Sequence, residues 1–231
     1  MLQPIFITGT GTDVGKTVVS AIIAEALHAD YWKPVQAGYD SGTDSEWISG
    51  VLVNHVSNIY PEAYKLKLAA SPHIAAREEG VRISLDEIAE KYNEISNQHA
   101  AYRNEEIEDD DHPSVIRNHF IIEGAGGLTV PLNEKEFIAD LIERIKARVI
   151  LVSRNYLGSI NHSLLTAAVC RQNKLDVIGW VFNGQYVSYE EEIVHWSGFP
   201  KIASVPFCES PNKEFITAQA QAIKPILLKL L

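Results

Sequence analysis

The segment best suited to chemistry is a glycine-rich stretch near the start of the chain, FITGTGTDVGKT, residues 6–17. It runs from Gly9 through five residues to Gly15, Lys16 and Thr17, one residue longer than the phosphate-binding pattern G-x-x-x-x-G-K-[ST]. Glycines let backbone N–H groups converge on an anion, and a helix starting at Lys16 adds its own free N–H groups. Lys16 suits the β- and γ-phosphates and the Thr17 hydroxyl suits Mg²⁺. The pattern therefore predicts nucleotide binding.

Two groups of proteins with related loops fit the sequence less well. Partition and division-site ATPases carry a second lysine four residues before the last glycine of the loop, and here that position is Gly11. Amidotransferases of the cobyrinate type carry a glutaminase domain with a reactive cysteine, whereas neither Cys170 nor Cys208 lies in a nucleophile turn. A P-loop switch, such as a partition-type ATPase or a metallochaperone NTPase, and an amidotransferase of the cobyrinate type remain alternatives to a small-molecule enzyme.

Two charged residues stand directly after apolar runs that predict strands. Glu123 follows HFII. Burying a carboxylate at the end of such a strand costs free energy unless a cation or a hydrogen-bond donor pairs with it. Lys33 follows YW, where ligands bind on an α/β sheet, although an ordinary exposed lysine before a proline fits equally well locally. Asp40 and Asp44 are both available in the next polar loop. Thr17, Glu123 and one of these aspartates are the candidate oxygen ligands for Mg²⁺.

These residues require a scaffold of alternating strands and helices. The runs that predict strands are PIFITG (4–9), YWKPV (31–35), HFIIEG (119–124), RVILVS (148–153), DVIGWVFN (176–183) and KIASVPF (201–207). The stretches that predict helices are Lys16–His28, Ser84–Ile95 with a capping box from Ser84 to Glu87, Phe137–Lys146 and His162–Asn173, and SPHIAAREEG (71–80) begins a further helix. Several strands are apolar at nearly every position, as in a parallel sheet covered on both faces. The sequence predicts a doubly wound α/β fold of the P-loop NTPase type, in one domain spanning 1–231.

Composition narrows the choice of partners and compartment. The formal net charge of −10 disfavours nucleic acid and anionic membranes as partners, and no apolar run is long enough to cross a bilayer. The two cysteines are too few for a disulfide framework, and the first residues lack the pattern of a leader peptide, so we expect a cytoplasmic protein. The acidic run at 104–113 predicts a solvated loop, with a metal site as the alternative. The tail AQAIKPILLKLL predicts a helix docked on the sheet and interrupted at Pro225, with a membrane-associated helix as the alternative.

An ordered set of motifs resembles the dethiobiotin synthetase family. These motifs are GTGTDVGKT (9–17), YWKPVQAG (31–38), TD (43–44), SPHIAA (71–76), IIEGAGG (121–127), LGSINH (157–162), GWVFN (179–183) and VPF (205–207). Together they cover the chain from residue 4 to about residue 208, with weak matching at 97–118 and in the last twenty or so residues. Each motif is modest alone, and their order makes the resemblance specific.

The resemblance implies an ATP-dependent ring closure. The family converts 7,8-diaminononanoate and CO₂ to dethiobiotin with MgATP, through a carbamate and a carbamic–phosphoric anhydride, and releases ADP and phosphate. It implies Lys16 and Lys33 as the catalytic cations and Thr17, Asp44 and Glu123 as the Mg²⁺ ligands. It also implies a homodimer in which Asn161 serves the substrate site of the neighbouring subunit.

The family pattern extends to the binding residues. The positions that correspond to the ATP site are Asp13, Val14, Gly15, Lys16, Thr17, Val18, Asp44, Glu123, Gly124, Ala125, Gly126, Asn183, Gly184, Pro206, Phe207 and Cys208. The positions that correspond to the substrate site are Thr12, Ala37, Ser71, Pro72, His73 and Asn161. The chain departs from the family at Ala37, where a hydroxyl residue is usual, and at Asp13, where glutamate is usual. Arg154 and Asn155, before the shared LGSINH, have no assigned role.

Overall fold

The fold is a parallel sheet covered by helices, described here from a computed structural model for residues 3–102, 119–184, 187 and 189–231. The strands are β1 (Ile5–Gly9), β2 (Asp30–Trp32), β3 (Val35–Ala37), β4 (Ile59–Tyr60), β5 (Tyr64–Leu66), β6 (Phe120–Gly127), β7 (Arg148–Arg154), β8 (Val177–Asn183) and β9 (Lys201–Val205). The helices are α1 (Lys16–Leu27), α2 (Asp44–Val51), α3 (Pro72–Glu78), α4 (Leu85–Tyr102), α5 (Ile138–Arg144), α6 (Ser159–Gln172), α7 (Tyr189–Ser197) and α8 (Lys213–Leu230).

The main sheet has the strand order β4-β2-β6-β1-β7-β8-β9, and all its strands are parallel. Strands β3 and β5 pair with each other in a separate parallel ribbon. The carboxyl ends of β2, β6, β1, β7, β8 and β9 therefore meet at one edge of the sheet. Ligands bind at this edge in open α/β sheets.

Alternate residues along the central strands pack on opposite faces. Phe6 and Leu151 belong to one apolar cluster, whereas Ile7 and Ile150 belong to the other. Helices α4, α5, α6 and α7 cover the first face, and α1 and α8 cover the second. Because both faces are buried, the strands contain few polar residues, and their sequences are therefore nearly continuous apolar runs. The predicted doubly wound α/β fold is confirmed.

The region between the second and third predicted strands contains more regular structure than we expected. YWKPV forms two strands instead of one, because Pro34 has no N–H for a ladder and its carbonyl accepts from Ala63 and Tyr64 at 2.9 and 3.0 Å. Strands β4 and β5 and helix α2 were not predicted here, and neither was α7 near the other end of the chain. With two to nine residues, these elements are too short to display a clear hydrophobic period.

The capping box predicted for α4 is only half present. The Ser84 hydroxyl accepts from the Glu87 N–H at 3.3 Å, as predicted. The return bond is missing, because the Ser84 N–H donates to the Tyr64 hydroxyl at 3.0 Å and that hydroxyl donates to the Glu87 carboxylate. Tyr64 thus ties the start of α4 to the β3–β5 ribbon.

The C-terminal helix docks on the sheet as predicted, but the predicted interruption at Pro225 is wrong. Helix α8 continues from Lys213 to Leu230 with Pro225 inside it. Its apolar stripe, which includes Ile223 and Leu227, is buried on the face shared with α1, and Pro225 is exposed. Packing of this stripe offsets the backbone hydrogen bond that Pro225 lacks. In the described ranges, no helix is both long and apolar enough to span a bilayer, and the acidic run at 104–113 falls outside those ranges.

Candidate active site

A cleft of about 780 Å³ opens at the carboxyl edge of the sheet. It contains most of the residues singled out in the sequence. Those lining it are Thr12, Asp13, Gly15, Lys16, Thr17, Val18, Lys33, Ala37, Asp44, Ser71, Pro72, Glu123, Ala125, Gly126, Asn183 and Phe207. Most of the nucleotide and substrate positions implied by the family resemblance therefore line one cavity.

The glycine-rich loop joins β1 to α1 and wraps closely against β8. Gly15 has φ 95° and is the N-cap of α1. A Cβ atom built on Gly15 would lie 2.1 Å from Nδ2 of Asn183, whose amide donates to the Val14 carbonyl at 3.1 Å. Glycine is therefore required at position 15 for both conformation and space. Val14 itself is buried and contributes its backbone to this contact.

Lys16 is folded back onto its own loop. Its Nζ donates to the Gly11 carbonyl at 2.7 Å, and the residue is buried. Burial lowers the pKa of Lys16, and the nearby Lys33 ammonium lowers it further, while Glu123 and Asp44 act in the opposite direction. A buried ammonium held against the glycine-rich loop is suited to hold a polyphosphate.

Glu123 is the centre of the polar network in the cleft. This carboxylate, 1% exposed, lies on β6 between β1 and β2. Its Oε1 accepts from the Thr17 hydroxyl at 2.9 Å and from Lys33 Nζ at 3.3 Å, and its Oε2 accepts from the Tyr31 hydroxyl at 3.0 Å. Burial raises the pKa of Tyr31 well above its usual value, and Glu123 raises it further, so the phenol remains protonated and donates.

Lys33 connects the two carboxylates of the cleft. It follows β2 directly, and its ammonium contacts both Asp44 and Glu123. Burial by itself lowers the pKa of Lys33, but the carboxylates of Glu123 and Asp44 outweigh burial and leave the pKa raised. The ammonium is therefore a fixed positive charge in a poorly solvated position.

Asp44 reaches the cleft because α2 begins there. Thr43 caps the helix with a full capping box to Glu46, and the Asp44 N–H donates to Gln36 Oε1 at 3.4 Å. The competing candidate, Asp40, is exposed and does not line the cleft. The structure thus places Asp44, with Thr17 and Glu123, around Lys33.

The donors gathered here fit a magnesium ion. Thr17 supplies a hydroxyl oxygen, and Glu123 and Asp44 supply two carboxylates. Among the described residues no group of three or more acids, histidines or cysteines could hold a metal. A small set of hard oxygens suits Mg²⁺, which takes few protein ligands and keeps waters and phosphate oxygens.

The other wall of the cleft is built from the ends of β7, β8 and β9. Asn183 ends β8, and the Gly184 N–H donates to the Val205 carbonyl at 3.0 Å. Asn155 braces this segment, because its backbone N–H donates to the Asn183 carbonyl at 3.1 Å and its side chain donates to the Gly184 carbonyl at 2.8 Å. The side chain of Asn155 also donates to the buried Glu190 at 3.0 Å.

Several predicted residues lie outside the cleft lining, and several lining residues were not predicted. The predicted residues that do not line it are Val14, Gly124, Gly184, Pro206, Cys208, His73 and Asn161. His73 instead contacts the Ser71 hydroxyl through Nδ1 at 3.0 Å, and Asn161 is exposed near the start of α6. The cleft residues without an assigned role are Gln36, Ala69, Ala70, Val130 and Arg154. Gln36 lies within the quoted YWKPVQAG, but nothing in the sequence distinguishes Tyr31 from an ordinary strand tyrosine.

Comparison with known proteins agrees with this geometry. A family model described as an AAA domain matches residues 3–214. ATP-dependent dethiobiotin synthetase BioD of Cytophaga hutchinsonii is 46% identical over 220 residues, which cover 95% of this chain and 96% of that protein. The enzyme of the same name from Christiangramia forsetii is 45% identical over 184 residues, covering 80% of this chain and 77% of that protein.

A solved structure with the same fold is the MinC:MinD cell division complex of Aquifex aeolicus. It superposes with a TM-score of 0.59 at 14% identity, covering 99% of this chain and 96% of that one. At such low identity the match describes the sheet and its helices, not the chemistry of the cleft. The sequence relatives are far more similar and span nearly the whole chain, so the chain belongs to the family of ATP-dependent dethiobiotin synthetases.

Proposed function

We propose that this chain closes the cyclic urea of dethiobiotin from 7,8-diaminononanoate and CO₂ at the expense of ATP. The observation that carries the proposal is the buried Lys33 ammonium, held between Asp44 and Glu123 in the same cleft as the phosphate-binding loop. The reaction brings two anions together, a carbamate and the γ-phosphate. A fixed positive charge beside Lys16 is what such an encounter requires.

The chemistry divides into three steps. One amine adds to CO₂ and loses a proton, which gives a carbamate. A carbamate oxygen then attacks the γ-phosphorus of ATP, the bond to ADP breaks, and a carbamic–phosphoric anhydride forms. The second amine attacks the carbamoyl carbon, inorganic phosphate leaves, and the ring closes with loss of a proton.

The residues of the cleft support these steps by binding and charge. The loop N–H groups around Gly15 and the Lys16 ammonium hold the phosphates, and Lys33 stabilises charge on the oxygens that transfer. Thr17, Asp44 and Glu123 would hold Mg²⁺, which supplies charge neutralisation on the phosphate oxygens. Tyr31 positions Glu123 through its hydroxyl.

We assign the diamine to the part of the cleft lined by residues of β3 and of the start of α3. Ala37 on β3 and Ser71 with Pro72 at the start of α3 line that part. Ala37 supplies no side-chain hydroxyl, so any polar contact to the substrate there comes from the backbone. The start of α3, with Ser71 as N-cap, is the place we assign to the substrate carboxylate.

We also propose that two copies of the chain assemble with Asn161 serving the partner's substrate site. Support comes from exposed apolar side chains close to it, since Leu157 is 76% exposed and Leu165 is 59% exposed. A mixture of Lys33→Ala and Asn161→Ala chains would test this arrangement. Mixed dimers retain one intact site of two, so about a quarter of wild-type activity should return. Two inactive variants that stay inactive when mixed would refute the shared site.

A cytoplasmic setting is part of the same proposal. Cys170 and Cys208 are both free thiols, as expected in a reducing compartment. Burial raises the pKa of Cys170 to about 12, so this thiol stays protonated and unreactive.

The deciding experiment measures ADP release from MgATP and bicarbonate with and without 7,8-diaminononanoate. We expect release that depends on the diamine, with dethiobiotin formed in equal amount, and loss of both in Lys33→Ala and Glu123→Ala. Lys65→Ala is the matched control, because Lys65 pairs with Glu46 of α2 at 3.5 Å but does not line the cleft. ADP release that does not depend on the diamine would refute the synthetase reaction and favour an ATPase switch.

A further inference from the structure

Arg154, Asn183 and Phe207 lie at or just after the ends of three adjacent strands and line one wall of the cleft. Of these three, Arg154 has no role assigned above. Arg154 is the last residue of β7 and pairs in register with Asn183 of β8, which pairs with Val205 of β9. Phe207 follows two residues later. The guanidinium carbon of Arg154 lies 5.8 Å from the centroid of the Phe207 ring. The Arg154 side chain therefore passes over the end of β8 to reach the aromatic ring.

The guanidinium of Arg154 has no acidic partner in the described part of the chain. No carboxylate of residues 3–102, 119–184, 187 or 189–231 lies within 4.0 Å of it. At the other end of the same strand, Arg148 pairs with Asp176 at 3.2 Å. Phe207 is 65% exposed and lines the cleft together with Arg154. An unpaired guanidinium beside an exposed ring, in a cleft of an acidic protein, is typical of a surface that awaits a ligand.

The direction of the side chain indicates which part of a nucleotide it meets. The phosphate-binding loop leaves the end of β1, which lies on one side of β7 in the sheet. Phe207 lies beyond β8, on the other side. Arg154 thus extends away from the loop that holds phosphates and towards the end of the cleft where Asn183 lies. A base held at Asn183 would lie against the guanidinium and the ring.

We propose that Arg154 contacts the nucleobase of ATP and that, with Phe207, it forms the flat surface on which the base stacks. The inference rests on the proposed ATP site. Guanidinium planes and aromatic rings both stack on bases, and Asn183 offers a donor and an acceptor to the base edge. Arg154 lies outside the motifs that carry the family resemblance, so the resemblance implies no role for it.

The test compares steady-state kinetics of wild type, Arg154→Ala, Phe207→Ala and the double variant. We expect KM for ATP to rise about five- to fiftyfold in each single variant, with kcat and KM for the diamine nearly unchanged. In the double variant KM for ATP should rise by less than the product of the two single increases, because the two side chains form one surface. KM for ATP in Arg154→Lys should be close to that in Arg154→Ala, since lysine keeps the charge but lacks the planar guanidinium.

Inorganic tripolyphosphate separates base from phosphate, because it has no base. Its inhibition constant against ATP should be the same for wild type and Arg154→Ala. If the inhibition constant of tripolyphosphate rises in Arg154→Ala by the same factor as KM for ATP, the guanidinium acts on phosphates and the proposal is wrong. An unchanged KM for ATP in Arg154→Ala would equally overturn it.

Arg171→Ala is the matched control. Its guanidinium carbon lies 5.5 Å from the Phe199 ring centroid, the same kind of pair, outside the cleft lining. This variant should leave KM for ATP unchanged, and melting curves for all variants verify folding. If wild type itself does not consume ATP with the diamine, the proposed function fails. If wild type is active and Arg154→Ala behaves identically, only the role of Arg154 fails.

Discussion

Replacing Tyr31 by phenylalanine removes a single oxygen from the centre of the site. The Tyr31 hydroxyl donates to Glu123 Oε2 at 3.0 Å, and both side chains are buried. Among the described residues no other donor reaches this oxygen, whereas Oε1 keeps its bonds from Thr17 and Lys33. The variant therefore leaves one oxygen of a buried carboxylate without a partner and adds no bulk.

The size of the effect follows from the charge on the acceptor. A hydrogen bond to a charged group contributes about 1.5–3 kcal/mol, and a chain of this size loses roughly 2–4 °C of Tm for each kcal/mol. We expect Tm to fall by roughly 3–12 °C on these scales. Because Glu123 is a proposed Mg²⁺ ligand, loss of its orienting donor should also raise the Mg²⁺ concentration for half-maximal activity about 10- to 100-fold.

The assay is diamine-dependent ADP release as a function of Mg²⁺ concentration, with thermal melting in parallel. Tyr60→Phe is the matched control, because the Tyr60 hydroxyl donates to Asp30 Oδ2 at the same 3.0 Å, away from the cleft. Tyr60→Phe should lower Tm and leave the Mg²⁺ dependence unchanged. If Tyr31→Phe likewise lowers Tm but leaves the Mg²⁺ dependence unchanged, Tyr31 has no part in holding Glu123 for the metal, and our assignment of this pair is refuted.

Three further predictions concern the loop, the buried lysine and the last helix. Gly15→Ala should abolish ATP binding in a calorimetric titration while the fold persists, since its Cβ would lie 2.1 Å from Asn183 Nδ2; retained affinity would contradict this. Lys33→Met should lower the unfolding free energy by a constant amount below pH 10.5, where unfolded lysine is charged. Above pH 10.5 the difference should shrink, because the unfolded chain loses the lysine proton first while folded Lys33, with its raised pKa, still holds it, so folding must then take up a proton. Denaturant titrations from pH 7 to 11 measure this difference, and a difference that stays constant to pH 11 would contradict the prediction. Pro225→Ala should raise Tm, because α8 is continuous and alanine restores an N–H worth about 1–3 kcal/mol inside a helix; an unchanged or lower Tm would argue against a continuous helix.

The local features of the site were readable from the sequence. Residues 6–17 contain strand, loop and helix start in one stretch, so the conformation depends on neighbours along the chain. Glu123 was predicted to need a cation or donor, because its position after a buried apolar run is a matter of local burial. The apolar runs also predicted the parallel sheet, since strands covered on both faces have no polar face to show.

The partners of these residues depend on strand order, which the sequence does not state. Tyr31 reaches Glu123 only because β2 lies beside β6, and Thr17 reaches it because β1 lies on the other side of β6. Arg154 meets Phe207 across the end of β8 in the same way. These contacts join residues 53 to 106 positions apart, so only the tertiary packing of the sheet brings them within hydrogen-bonding or stacking distance. The sequence by itself determined the groups that perform the chemistry, and the folded sheet decided which of them meet.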